Sequence, residues 1–137
     1  AEEASLSAIR RLEALQAEHD AATAAMDWAR IDAANHAFHR FINPHGGNLE
    51  AAGLISRYYG LSESLMNSQG RDSAFADRVR TEHHALLEAF RARDPEAAAR
   101  INTAHVRGTL AVIMDAFEAL PKPERPIHRL AEVTTKA

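Results

Sequence analysis

The chain has 137 residues, the length of one domain with a core of its own, and 46% of them are hydrophobic. It contains no cysteine, which excludes a disulfide scaffold, a cysteine-ligated zinc and thiol catalysis. Its net charge of −3 argues against a grip on nucleic acid by these residues alone, since phosphate binding needs clustered Lys and Arg.

The hydrophobic content is skewed toward helix. There are 29 alanines but only 4 valines and 7 isoleucines, so an all-α fold is expected. Neither glycine nor proline occurs before Pro44, too long a stretch for one helix, so an internal break is expected. Ser5 caps a first helix with Leu6, Ile9, Leu12 and Leu15 at three-residue steps. Asp27 caps a second, from Trp28 to Ile42, with Ile31, Phe38 and Ile42 on one side. Asn43-Pro44-His45-Gly46-Gly47 is a turn, and Asn48 caps a third helix, interrupted or kinked near Gly53 or Gly60, that runs toward Gly70. Asp72 or Ser73 opens a fourth, reaching about Arg93. Asp94-Pro95-Glu96 is the strongest start signal, with a cap, a proline at the first helical position and an acid in the first turn. That fifth helix runs to Leu120 and is ended by Pro121, Pro123 and Pro126. The expectation is an antiparallel bundle of five to six helices over residues 1–122, followed by a proline-containing tail over 123–137. No run of about 18 apolar residues is long enough to span a membrane, and the acidic start lacks a signal-peptide pattern, so a cytoplasmic location is expected.

Eight histidines stand out, and helical phase divides those in the second, fourth and fifth helices. Asn35 and His39 are four apart and share the face of Ile31, Phe38 and Ile42. His83 belongs with Val79, Leu86, Leu87 and Phe90, and His105 with Ile101, Gly108 and Val112. His36, beside Asp32 and Arg40, and His84, beside Arg80, Glu88 and Arg91, are expected to face water. One inward histidine is ordinarily a core residue bonded to a carbonyl. Three of them with an asparagine need a common partner, which is either a divalent metal or a buried polar network.

These residues also resemble a family. Asn35-His36-Ala37-Phe38-His39 followed by Gly46-Gly47-Asn48 is similar to the D-x-x-F-H … G-N signature of the FCD domain, the effector-binding half of FadR-subfamily GntR transcriptional regulators. Glu82-His83, then Ala89-Phe90, Asp94, Ala98 and His105, resemble the rest of its pattern, and the likeness covers about Ser5 to Leu120. The resemblance implies a metal at the centre of the bundle, held by His39, His83 and His105, with Asn35 at the position of the family's acid. An amide oxygen can coordinate but brings no charge, so the site holds its ion less tightly and carries +2 rather than +1. Asp32, one turn earlier, is a candidate supporting group. Zinc or nickel suits three imidazoles.

The resemblance further implies a small carboxylate effector beside the metal, with Asn102, Arg57, Tyr58 and Arg80 as candidate contacts. It implies a homodimer, for which Leu6, Ile9, Leu12 and Leu15 and the apolar end Val112, Ile113 and Phe117 are candidate surfaces. Operator DNA would be reached only through a winged helix-turn-helix domain that is not in these residues. The competing reading is a metal-dependent hydrolase or oxygenase. Against it, no glutamate shares the inward phase of the three histidines, and Asn35 is not the carboxylate that an Fe(II) facial triad needs.

Overall fold

The computed structural model of the chain describes residues 1, 4–67 and 71–119. The expected tail over 123–137 lies outside them. Five α-helices follow in order: α1 Leu6–Ala24, α2 Trp28–Ile42, α3 Leu49–Asn67, α4 Ser73–Arg91 and α5 Pro95–Glu118, with a 3-10 turn over Asn43–Gly46. No strand occurs among the described residues.

Every helix starts at a side chain that the sequence supplies for the purpose. Ser5 Oγ accepts from Ala8 N–H at 3.1 Å, Asp27 from Arg30 at 3.2 Å, Asn48 from Ala51 at 2.9 Å, Asp72 from Phe75 at 2.9 Å and Asp94 from Ala97 at 2.8 Å. Each pairs an N–H that has no partner inside its own helix. The ends are made differently. Met26 and Arg93 take left-handed conformations, with φ of 51° and 55°. Behind them Asp27 N–H reaches Ala22 C=O at 3.1 Å, and Asp94 N–H reaches Ala89 C=O at 2.9 Å. These bonds reverse the chain within residues 25–27 and 92–94, so α1 and α2, and α4 and α5, run antiparallel and pack along each other.

The core is built from Ile9, Leu12 and Leu15 of α1, Phe38 and Ile42 of α2, Leu86, Leu87 and Phe90 of α4, and Ala98 of α5. Three of the four residues expected to offer a dimer surface on the first helix are therefore inside. Only Leu6, 71% exposed, is outside. α3 is one unbroken helix, without the expected interruption. A Cβ added at Gly53 or Gly60 would meet no atom within 4 Å, so both sit in open space, where a glycine weakens a helix without bending it. α3 packs on α5, on α2 and on the 3-10 turn, and it leaves Leu54, Ile55, Tyr58 and Leu61 exposed. Four residues of α5, Val106, Leu110, Met114 and Phe117, are exposed as well. No helix among the described residues is long and apolar enough to cross a membrane.

Candidate metal centre

Three helices deliver one histidine each to the same point. His39 of α2, His83 of α4 and His105 of α5 are all buried, and each offers a ring nitrogen within 4.8 Å of the other two. The Nε2 atom of His39 lies 3.2 Å from that of His83 and 3.1 Å from that of His105. His83 is stacked on Phe38, with ring centroids 4.2 Å apart and planes 6° from parallel, which fixes its ring against the core.

The protons do not satisfy this arrangement. Glu82 Oε2 accepts from His105 Nδ1 at 2.7 Å, and a carboxylate bonded there places the ring's proton on Nδ1. With that ring neutral, its Nε2 presents a lone pair toward His39. His39 Nε2 carries at most one proton for its two nitrogen neighbours. A divalent ion satisfies all three lone pairs at once. With bonds of 2.0–2.1 Å, two nitrogens on one ion stand about 2.9 Å apart at a right angle and about 3.3 Å apart at the tetrahedral angle. The observed 3.1 and 3.2 Å fall between these limits, and with the third pair within 4.8 Å the donor set is compatible with an ion.

Burial keeps the His39 and His83 rings neutral. Desolvation, reinforced by neighbouring histidines, pushes His39 down to about 3 and His83 well below its ordinary value of 6.5. Neutral imidazole is the form a metal takes.

Behind the rings is a supporting chain. Glu82, which accepts from His105, is itself paired with Arg78 Nη1 at 3.0 Å. Gly108 makes room for that guanidinium, since a Cβ there would stand 2.7 Å from Arg78 Nη1. Helical phase places Glu82 about 100° from His83 and so away from the site. It enters because it bonds to the neighbouring helix instead, on the side of His105 turned away from the nitrogen cluster. Carboxylates in this position orient a ligand histidine. Glu82→Gln is therefore expected to weaken zinc binding by about 10- to 100-fold while leaving the helical content unchanged. Zinc titration against a competing chelator checks this, and an unchanged affinity would contradict the role.

Asn35 is next to the cluster. Its Nδ2 donates to Tyr59 Oη, and its Oδ1 is buried with no hydrogen-bond partner. A cavity of about 300 Å³ opens here, lined by Asn35, His39, His105, His19 and Asn102 among others. Of the four candidate effector contacts, only Asn102 lines it. Arg57 and Tyr58 are exposed, the guanidinium lying 5.8 Å from the Tyr58 ring. Arg80 pairs with Asp77 at 3.2 Å. Tyr59 and Arg71 line the cavity in their stead, with Arg71 Nη2 held 2.8 Å from Asp32 Oδ2.

One histidine differs from expectation, and one in the first helix adds to the site. His36 does not face water: it stacks on Tyr59 at 4.2 Å, and its Nε2 is buried without a partner. His19 of α1 is fully buried, 4.9 Å from the His83 ring between centroids, with Thr23 Oγ1 3.5 Å from its Nδ1. Its spacing from Leu12 and Leu15 puts it on their stripe, a signal present in the sequence. His84 is on the surface as expected, 3.0 Å from Asp20.

The family model described as the FCD domain matches residues 1–108 of the chain. The chain belongs to the FCD family. No curated protein and no solved structure matches it. FCD domains are the C-terminal effector-binding domains of GntR-family transcriptional regulators, so the bundle has a regulator's effector-binding role. The three buried histidines of this FCD domain are compatible with metal binding, which is common among such domains.

Proposed function

We propose that this FCD domain senses a small carboxylate through a divalent ion, zinc or nickel, held by His39, His83 and His105, with Asn35 Oδ1 as a fourth ligand. The observation that carries the reading is the convergence of three buried Nε2 atoms, with that of His39 3.2 Å from His83 and 3.1 Å from His105. Bound there, the ion supplies a positive centre with open positions for a carboxylate oxygen. The chain's own part is to hold the rings neutral, to orient His105 through Glu82 and to wall the cavity with apolar side chains. With an amide in place of the acid, the protein ligands are all neutral. An anionic effector then offsets charge that the protein leaves uncompensated.

In this reading residues 1–122 form the sensing unit. Two copies associate, and the exposed apolar residues of α3 and α5 outside the cavity, Leu54, Tyr58, Leu61, Met114 and Phe117, are the surface that favours it. Operator contact belongs to a winged helix-turn-helix domain outside these 137 residues. The effector acts by preferring one arrangement of the dimer over another. Thermal denaturation and light scattering on the same samples test this. The expected result is a dimer whose melting temperature rises with added carboxylate only after zinc is supplied. A monomer at micromolar concentration contradicts the assembly, and an equal rise in metal-free protein contradicts the role of the ion.

A further inference from the structure

The walls of the cavity say what kind of carboxylate fits. Ile31, Phe75, Val79, Val106, Leu110 and Ile113 form its apolar lining. Among the described lining residues the charged side chains are Asp32 and Arg71, and they are paired with each other. Both are nearly buried, at 14% and 6% side-chain exposure, and both nitrogens of the Arg71 fork bond the Asp32 carboxylate. Arg71 also lies over the Trp28 ring, 4.6 Å from its centroid. Turning this guanidinium toward a ligand would strand a buried carboxylate, which is unfavourable in so dry a setting. Of the uncharged polar groups in the lining, His19 Nε2, Asn102 Oδ1 and Thr109 Oγ1 are buried without hydrogen-bond partners. They can take part in hydrogen bonds but provide no counter-charge for a second acid group.

Among the described lining residues none brings uncompensated positive charge, so an ion at the histidines would be its source, and the rest of the volume is mostly apolar. A ligand with one carboxylate satisfies both ends. One with a second carboxylate, or a hydroxyl on every carbon, buries polar groups against aliphatic walls. The cavity of about 300 Å³ has the liquid volume of about ten waters at ~30 Å³ each, so the ligand has on the order of ten non-hydrogen atoms.

Resting on the metal reading above, we propose that the effector is a monocarboxylate with an apolar body, a short aliphatic chain or a single aromatic ring, rather than a dicarboxylate or a sugar acid. Calorimetry on the zinc-loaded domain with hexanoate, phenylacetate, adipate and gluconate tests it. Hexanoate and adipate have the same carbon count and differ in the second carboxylate. Hexanoate or phenylacetate is expected to bind at least tenfold more tightly than adipate and gluconate. Asp32→Asn, which relieves Arg71 of its counter-charge, is expected to raise adipate affinity relative to hexanoate at least tenfold.

Zinc content measured on the same samples separates the two readings. Zinc-loaded protein that binds adipate or gluconate as tightly as hexanoate, or that binds none of the four, overturns the proposal and leaves the metal centre standing. Protein that takes up no zinc yet still prefers hexanoate removes the metal centre and supports the apolar class. Should Asp32→Asn fail to fold, the comparison of hexanoate with adipate on the unaltered domain decides alone.

Discussion

His83→Ala lowers the melting temperature of zinc-loaded protein by at least about 10 °C, whereas His84→Ala, one residue away, changes it by no more than a degree or two. Two effects set the first value. The variant loses one of three imidazoles, and with it the stabilisation that a bound ion gives, about 4 kcal/mol when free metal is a thousandfold above Kd. It also removes a fully buried ring stacked on Phe38, a large-to-small change of the kind that costs about 2–5 kcal/mol in a packed core. In metal-free protein part of this is offset, because the lost ring is desolvated and its Nδ1 has no partner. The gap between the two variants therefore widens when zinc is added. His84 is nearly half exposed and pairs with Asp20 at 3.0 Å, a contact worth less than about 1 kcal/mol. Differential scanning calorimetry of both variants with and without zinc reads all four values. A gap between the two variants that does not widen when zinc is added would mean that the buried histidines are packing residues only.

Metal-free protein is expected to lose stability steeply as pH falls below 6.5. His39, His83 and His19 have native values lowered by burial, His39 to about 3, from an ordinary 6.5. Above pH 6.5 these rings are neutral in both states and contribute no pH dependence. Below it the unfolded chain takes up protons that the buried rings refuse, so unfolding is favoured. The loss continues down toward the native values. Each ring adds up to about 1.4 kcal/mol per pH unit while the pH lies between its native value and 6.5. For a domain with an ordinary 5–15 kcal/mol of stability, this is a large fraction of the total by pH 5. Urea denaturation at pH 7.5, 6.5, 5.5 and 5.0 checks this. Bound zinc, which competes with protons for the same nitrogens, moves the loss to lower pH. Stability that is flat from pH 7.5 to 5.0 without metal would show that the rings are not desolvated.

The parts of the fold that are legible in the sequence are those written as local chemistry. Ser5, Asp27, Asn48, Asp72 and Asp94 each have the side chain a helix start needs, and each caps one. The inward phase of Phe38, His39, Val79, His83, Leu86 and His105 follows from helical spacing, and all six are buried. The helix ends are less legible because Met26 and Arg93, not glycines, take the left-handed positions. Glycine misleads in the other sense in α3, where Gly53 and Gly60 face open space and mark no break.

The wall of the site is harder to read than its centre, for a physical reason. Spacing shows which residues share a face of one helix but not what the neighbouring helix brings. Glu82 reaches the site through His105 on α5, and Arg71, beyond the end of α3, reaches it through Asp32 on α2. α3 has apolar residues on faces that stay exposed, such as Leu54 and Leu61. Its inward side is therefore ambiguous from spacing, and Tyr59 lines the cavity where Tyr58 is the expected contact.

Elemental analysis tests the central claim most directly. Untagged protein purified without chelator is expected to hold one zinc or nickel ion per chain, retained in His84→Ala and absent from His83→Ala. Protein that carries no divalent ion, and takes up neither zinc nor nickel at micromolar concentration, would contradict the metal centre.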